Sequence, residues 1–188
     1  MNNIICNTEY FNTADKDASE ALCECILKRL SAVNINDYTP VILCIGTDRA
    51  TGDCLGPLVG EKLKHYNNSY QVYGCLSHPV HALNLVEINN YIKENIDNPY
   101  VIAIDAALGS SSHIGYITVS DCSLSPGKGV NKKLPAVGDL SITGIVNISG
   151  RNPGVLQNTR LNLVMQLADC IANALKFSID YLEDFCPL

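Results

Sequence analysis

Charged side chains are scarce in this 188-residue chain, at 17% of the total, against roughly 25% in ordinary globular proteins. With an apolar content of 47%, that scarcity argues against intrinsic disorder, which needs high charge and low hydrophobicity. Basic residues are the rarer sign: 13 Lys and Arg face 19 Asp and Glu, for a net charge of −6. So acidic a body repels a polyanion, and no nucleic-acid partner is expected. Long apolar runs are missing too. The densest, Val41–Ile45 and Val101–Ile104, fall far short of the ~20 residues that cross a bilayer. The first residues, MNNIICNTEY, lack the basic region and apolar core of a secretory leader. A cytoplasmic protein with no membrane partner is therefore expected. C-x-x-C pairs are absent, which removes the signature of a zinc ribbon or a thioredoxin-type redox pair. The nine cysteines then read as buried free thiols; Cys23, Cys25, Cys44 and Cys170 fall in apolar patterns where Cys acts as a small hydrophobe.

What is present is an alternation of strands and helices. Length and the lack of a linker indicate one domain over 1–188. Apolar residues at helical spacing predict helices over Ala18–Val33, Pro57–Tyr66, Ala82–Asn95 and Val155–Phe177. Strands are expected at Val41–Ile45, Tyr70–Leu76, Tyr100–Ile104, Gly115–Ser120 and Leu140–Ile148, the last bent at Gly144, with a long loop over Asp121–Val137. Val41–Ile45 and Tyr100–Ile104 are apolar without alternation, as strands buried on both faces are. This order implies a three-layer α/β/α sandwich with a mostly parallel five-stranded sheet. Ligands of such sheets collect at the carboxyl ends of strands where strand order reverses. Here that crevice lies between the first and third expected strands.

Its two lips carry carboxylates. The loop after Ile45 reads Gly46-Thr47-Asp48-Arg49-Ala50-Thr51-Gly52-Asp53-Cys54-Leu55-Gly56-Pro57. It matches neither a P-loop, since Asp53 stands where lysine belongs, nor a dinucleotide fingerprint, since residue 48 is Asp. The other lip begins at Asp105. Taken singly, Asp53 suits a helix cap and Asp105 an Asx turn. Brought to one crevice, they become a pair that cannot ionise twice cheaply, so one keeps its proton. The charged member can then take a proton from water while the neutral one hydrogen-bonds a carbonyl under attack, which is general acid–base hydrolysis of an amide. No metal or other cofactor is needed for that chemistry.

Other constellations compete less well. His78 and His81 form an H-x-x-H pair able to share a metal, and a metal-dependent hydrolase built on Asp53, Asp105 and one of these histidines is the alternative enzyme. The plainer reading is one loop histidine and one helix-start histidine. No G-x-S-x-G elbow occurs, and Ser110-Ser111-Ser112-His113 reads as a polar loop. Cys54 sits at a helix start, where thiolate is favoured, but has no identified histidine partner. The stretch Pro126–Lys133 is glycine-rich and basic, fitting a surface loop or the rim of a peptide site.

The segments Ile45–Pro57, Ile102–Ala106, Pro126–Lys133, Gly138–Asn147 and Leu156–Leu161 together resemble the spore-protease family called YyaC. More remotely they resemble the spore germination protease and the hydrogenase maturation endopeptidases. The resemblance implies a phosphorylase/hydrolase-like α/β fold and an aspartic-type peptidase without a cofactor, with Asp53 and Asp105 as the catalytic pair. Asp48, Arg49, Asn131 and Lys132 are expected to position the substrate. It also implies a protein or peptide partner, such as a spore protein, and action in the cytoplasm of a sporulating cell or its forespore. The maturation enzymes add a histidine to a Glu and an Asp to hold nickel; Asp53 and Asp105 match those acids, but no histidine lies near Gly138–Ser141. A sporulation protein that only binds peptides in the same crevice is the non-enzymatic alternative.

Overall fold

The computed structural model describes residues 6–66, 70–126, 134–150 and 154–185. In chain order the elements are β1 (Thr8–Asn12), α1 (Ala18–Ala32), β2 (Thr39–Cys44), α2 (Leu55–Leu63), β3 (Gln71–Tyr73), α3 (Leu85–Asn95), β4 (Pro99–Gly109), β5 (Tyr116–Ser120), β6 (Leu140–Ile148) and α4 (Leu161–Phe185). The six strands form one sheet in the order β1-β5-β6-β4-β2-β3. β6, β4, β2 and β3 run parallel, and β5 is antiparallel to both β6 and β1.

Successive side chains on a strand point to opposite faces, and the central strands are apolar in both directions. Ile42, Cys44, Ile102, Ile104 and Ile142 pack under Leu22, Ile26 and Leu30 of α1, Val59 and Leu63 of α2, and Val164, Leu167 and Ile171 of α4. Their neighbours Val41, Leu43, Val101 and Ala103 face the other way, against Leu85 and Ile92 of α3 and against Val80. Three helices on one face and one on the other make the three-layer α/β/α sandwich expected from the sequence.

The sheet has six strands rather than the expected five. The extra strand, β1, is five residues long and its first three are exposed, so it carries too little apolar pattern to be seen in the sequence. Partners from other elements hold it: Arg29, buried on α1, bonds Glu9 of β1 at 2.8 Å and also Asp121 beyond β5. The β1–β5 register sets Thr8 opposite Ser120; carried two residues further it sets Cys6 opposite Cys122, and these two form a disulfide. That corrects the expectation of free thiols throughout. Cys23, Cys25, Cys44, Cys54, Cys75 and Cys170 are free.

Three further differences follow. β4 does not stop at Ile104 but runs to Gly109, because β6 pairs with it as far as Gly109↔Ile148. The irregularity expected at Gly144 falls two residues on, where Ala107↔Ile145 is followed by Leu108↔Asn147, leaving Val146 as a bulge. Gly144 serves closeness instead: a Cβ there would stand 2.5 Å from Leu55 Cδ2. Finally, α4 begins at Leu161, after turns at residues 154–159, rather than at Val155. Among the described residues no helix is long and apolar enough to cross a membrane.

Candidate active site

β3 and β4 flank β2 on opposite sides, so the strand order reverses at the carboxyl ends of β2 and β4, and a crevice opens there. The sequence around it is shaped for close approach. Gly46 follows β2 with φ +141°, and a Cβ on it would stand 2.0 Å from the carbonyl oxygen of Asp53. Only glycine lets the loop fold back so tightly. The Thr47 N–H then donates to that Asp53 carbonyl at 3.1 Å, and Asp53 is fixed within a 3-10 turn, Thr51–Cys54, over the end of β2. A second tie comes from Gly52, whose N–H donates to the Leu156 carbonyl at 2.8 Å. The Asn147 amide in turn donates to the Val155 carbonyl and to Thr159 Oγ1, each at 3.1 Å. The glycines of this loop therefore hold a carboxylate in place and do not cradle a phosphate.

Asp105 enters from the opposite lip. It follows Ile104, whose carbonyl accepts the Ile45 N–H at 2.7 Å, so it stands one residue past the last β2–β4 pair. Its Oδ1 accepts the Ala106 N–H at 2.8 Å, which leaves Oδ2 to carry a proton. Both aspartates are half-buried.

Electrostatics divide their roles. Burial, and secondly the charge of Asp53, push Asp105 well above the usual carboxylate range. Asp53 is also raised by burial, but the Thr47 N–H and the charge of His81 oppose that rise. A shared proton therefore rests on Asp105, and Asp53 is the member left ionised.

His81 is the residue that sequence reasoning undervalued. Val80 bridges Ile45 beside β2, and the Gly46 N–H donates to the Val80 carbonyl at 2.8 Å; this extends the sheet by one residue and delivers His81 to the crevice. Its N–H donates to Asn84 Oδ1 at 2.8 Å, and its Nδ1 accepts the Leu83 N–H at 3.3 Å. Nothing in the H-x-x-H spacing announces this, since the placement depends on a one-residue bridge. His78 is exposed and hydrogen-bonded to Ser77.

Asp48 and Arg49 are exposed on the loop above Asp53, where the Arg49 N–H donates to Thr47 Oγ1 at 3.3 Å. Asn131 and Lys132 lie outside the described residues. Cys54 is buried, and burial together with Asp48 and Asp53 pushes its thiol up, opposite to the activation a cysteine nucleophile needs. His113 bonds Ser110 at 2.9 Å and packs against Tyr10 and Tyr116. Among the described residues no three His, Cys, Asp or Glu side chains gather as a metal-holding group.

Comparison with known proteins agrees with this architecture. The chain is 54% identical over 140 residues to "Uncharacterized protein YyaC" of Bacillus subtilis (strain 168), covering 73% of this chain and 68% of that protein. Its fold is similar to that of a [NiFe] hydrogenase maturation protease, HycI from Thermococcus kodakarensis KOD1, with a TM-score of 0.51 at 18% identity, over 76% of this chain and 93% of the other. The family model described as "Protein of unknown function (DUF1256)" matches residues 10–174. The likeness read from the loop and strand-end motifs is thereby upheld by the YyaC relative, and the chain belongs to the DUF1256 family.

Proposed function

We propose that the protein is a peptidase of aspartic type in which Asp53 and Asp105 activate a water molecule. One observation carries the reading: two half-buried carboxylates meet in one crevice at the strand ends, both raised, with the proton favoured on Asp105. The described fold neighbour is a protease, which supports the reaction class. Asp53 takes a proton from water as the oxygen attacks the scissile carbonyl. Asp105 Oδ2–H donates a hydrogen bond to the carbonyl oxygen, where negative charge develops. Collapse of the tetrahedral intermediate breaks the C–N bond, and the proton held on Asp53 passes to the leaving amine. The His81 ring beside Asp53 favours its ionised form in an otherwise unfavourable site. Asp48 and Arg49 of the upper lip, with Asn131 and Lys132, position the substrate in this reading. The motif likeness points to a spore protein as substrate and to the cytoplasm of a sporulating cell or forespore.

The test is incubation of purified protein with a spore-protein extract and with synthetic peptides, products mapped by mass spectrometry. Asp53→Asn and Asp105→Asn should each abolish cleavage, and EDTA should leave it intact. Full activity in either variant overturns the reading. Loss in EDTA with recovery on adding Zn²⁺ or Ni²⁺ transfers it to a metal hydrolase.

A further inference from the structure

β4 outruns its partner. Pairing with β2 ends at Cys44↔Ile104, while pairing with β6 continues to Gly109↔Ile148. Exposure changes at the same point: Tyr100 to Ile104 are buried, and every residue from Asp105 to Gly109 is half-exposed. In a parallel ladder the peptide groups of alternate residues face alternate neighbours. Two bonds fix the phase here. Ile45 donates to the Ile104 carbonyl, so even-numbered residues face β2, and Ser149 donates to the Gly109 carbonyl, so odd-numbered ones face β6. The Ala106 carbonyl and both peptide groups of Leu108 therefore face the place where β2 would continue. Among the described residues no strand lies there. The Ala106 N–H is taken by Asp105 itself.

A strand edge with no paired strand is normally blunted or covered in a stable protein, and the opposite edge strand, β1, is strapped down by Arg29 and a disulfide; the Thr51–Cys54 turn touches β4 here without pairing with it as a strand. The uncovered length begins at Asp105, one of the two carboxylates assigned to the chemistry. We propose that the substrate is an extended polypeptide that adds to the sheet as a strand beside Ala106–Gly109, in line with β2. This rests on the peptidase reading and gives it a substrate class: unfolded or loop segments rather than helices. Recognition is then mostly through the backbone, which gives affinity with little sequence preference. Strand pairing lays the scissile peptide group flat in the plane of the sheet, with its carbonyl at a fixed height relative to Asp105.

The test uses backbone-modified peptides. From a library of unstructured synthetic decapeptides, the one cut fastest is N-methylated one residue at a time. Strand addition predicts a two-residue period on one side of the scissile bond: kcat/KM falls about tenfold where a methyl removes a paired N–H, and stays within about twofold at positions between. Sensitivity at every position, or at none, overturns it. Leu108→Pro is the complementary change in the protein, since it deletes an N–H that faces the crevice and leaves the bonds to β6. It should raise KM about tenfold with kcat less affected, in a variant whose circular dichroism shows it folded. An unchanged KM counts against the proposal. If no unmodified peptide is cut, the peptidase reading falls by itself, and the same scan is read as binding of fluorescein-labelled decapeptides to the wild-type protein. Periodic loss of binding then upholds strand addition, and flat or absent binding overturns it.

Discussion

Asp53 and Asp105 are the same residue in two surroundings, and their difference makes the site directional. Asp105 is raised by burial and by its partner's charge; a folded-state titration above the unfolded one means that the native state holds a proton the unfolded chain has released. Stability from this group is complete at low pH and is lost as pH climbs through the raised value. Asp105→Asn should therefore flatten the fall in stability as pH rises above the ordinary carboxylate range, seen in urea melts over a pH series, while abolishing cleavage. Equal slopes in variant and wild type would show that Asp105 is not raised. His81 acts on the other carboxylate. Removing the ring leaves Asp53 harder to ionise, so His81→Ala should move the acid limb of the kcat/KM profile to higher pH. A loss of rate with an unmoved profile would mean that His81 serves structure alone.

At the scale of elements, the loop between β2 and α2 shows how backbone closeness builds a site. At Gly46 the φ of +141° and the 2.0 Å approach to the Asp53 carbonyl exclude any side chain. Gly46→Ala should cost at least about 2 kcal/mol of stability and should lower cleavage further than lost stability explains, because Asp53 must move. Thermal melts and peptide assays on the same samples separate the two effects. On the far edge, Arg29→Met leaves Glu9 and Asp121 without their buried partner. Hydrogen exchange should quicken in β1 and β5 while cleavage persists, with a loss of about 1–3 kcal/mol for the broken charge-assisted bonds. The same contrast explains what the chain disclosed in advance. Val41–Ile45 and Tyr100–Ile104 declared themselves because strands buried on both faces must be apolar throughout. The crevice followed from strand order, and the two aspartates from the crevice. β1 stayed hidden because the strand it pairs with lies more than a hundred positions away. The extension of β4 was masked by Asp105, a polar residue that reads as the end of an apolar run. His81 was undervalued because its position follows from the single bridge Ile45↔Val80.

For the molecule as a whole, the disulfide stands apart from an expected cytoplasmic life, where thiols are mostly kept reduced. Reduction should lower the melting temperature, since a bond between residues 116 positions apart restricts the unfolded chain strongly, by about 2–4 kcal/mol in the usual range. Cys6→Ser should reproduce that loss and make the melt insensitive to dithiothreitol; a melt that still responds would place the bond elsewhere.

The Cys6–Cys122 bond also closes a covalent ring, and both Asp53 and Asp105 lie within it, on the stretch it encloses. A single backbone nick anywhere on that ring leaves the two acids in one molecule. On the proposed peptidase reading this gives built-in tolerance to self-digestion: nicked protein should run intact on a non-reducing gel and fall into two pieces only when the sulfurs are parted.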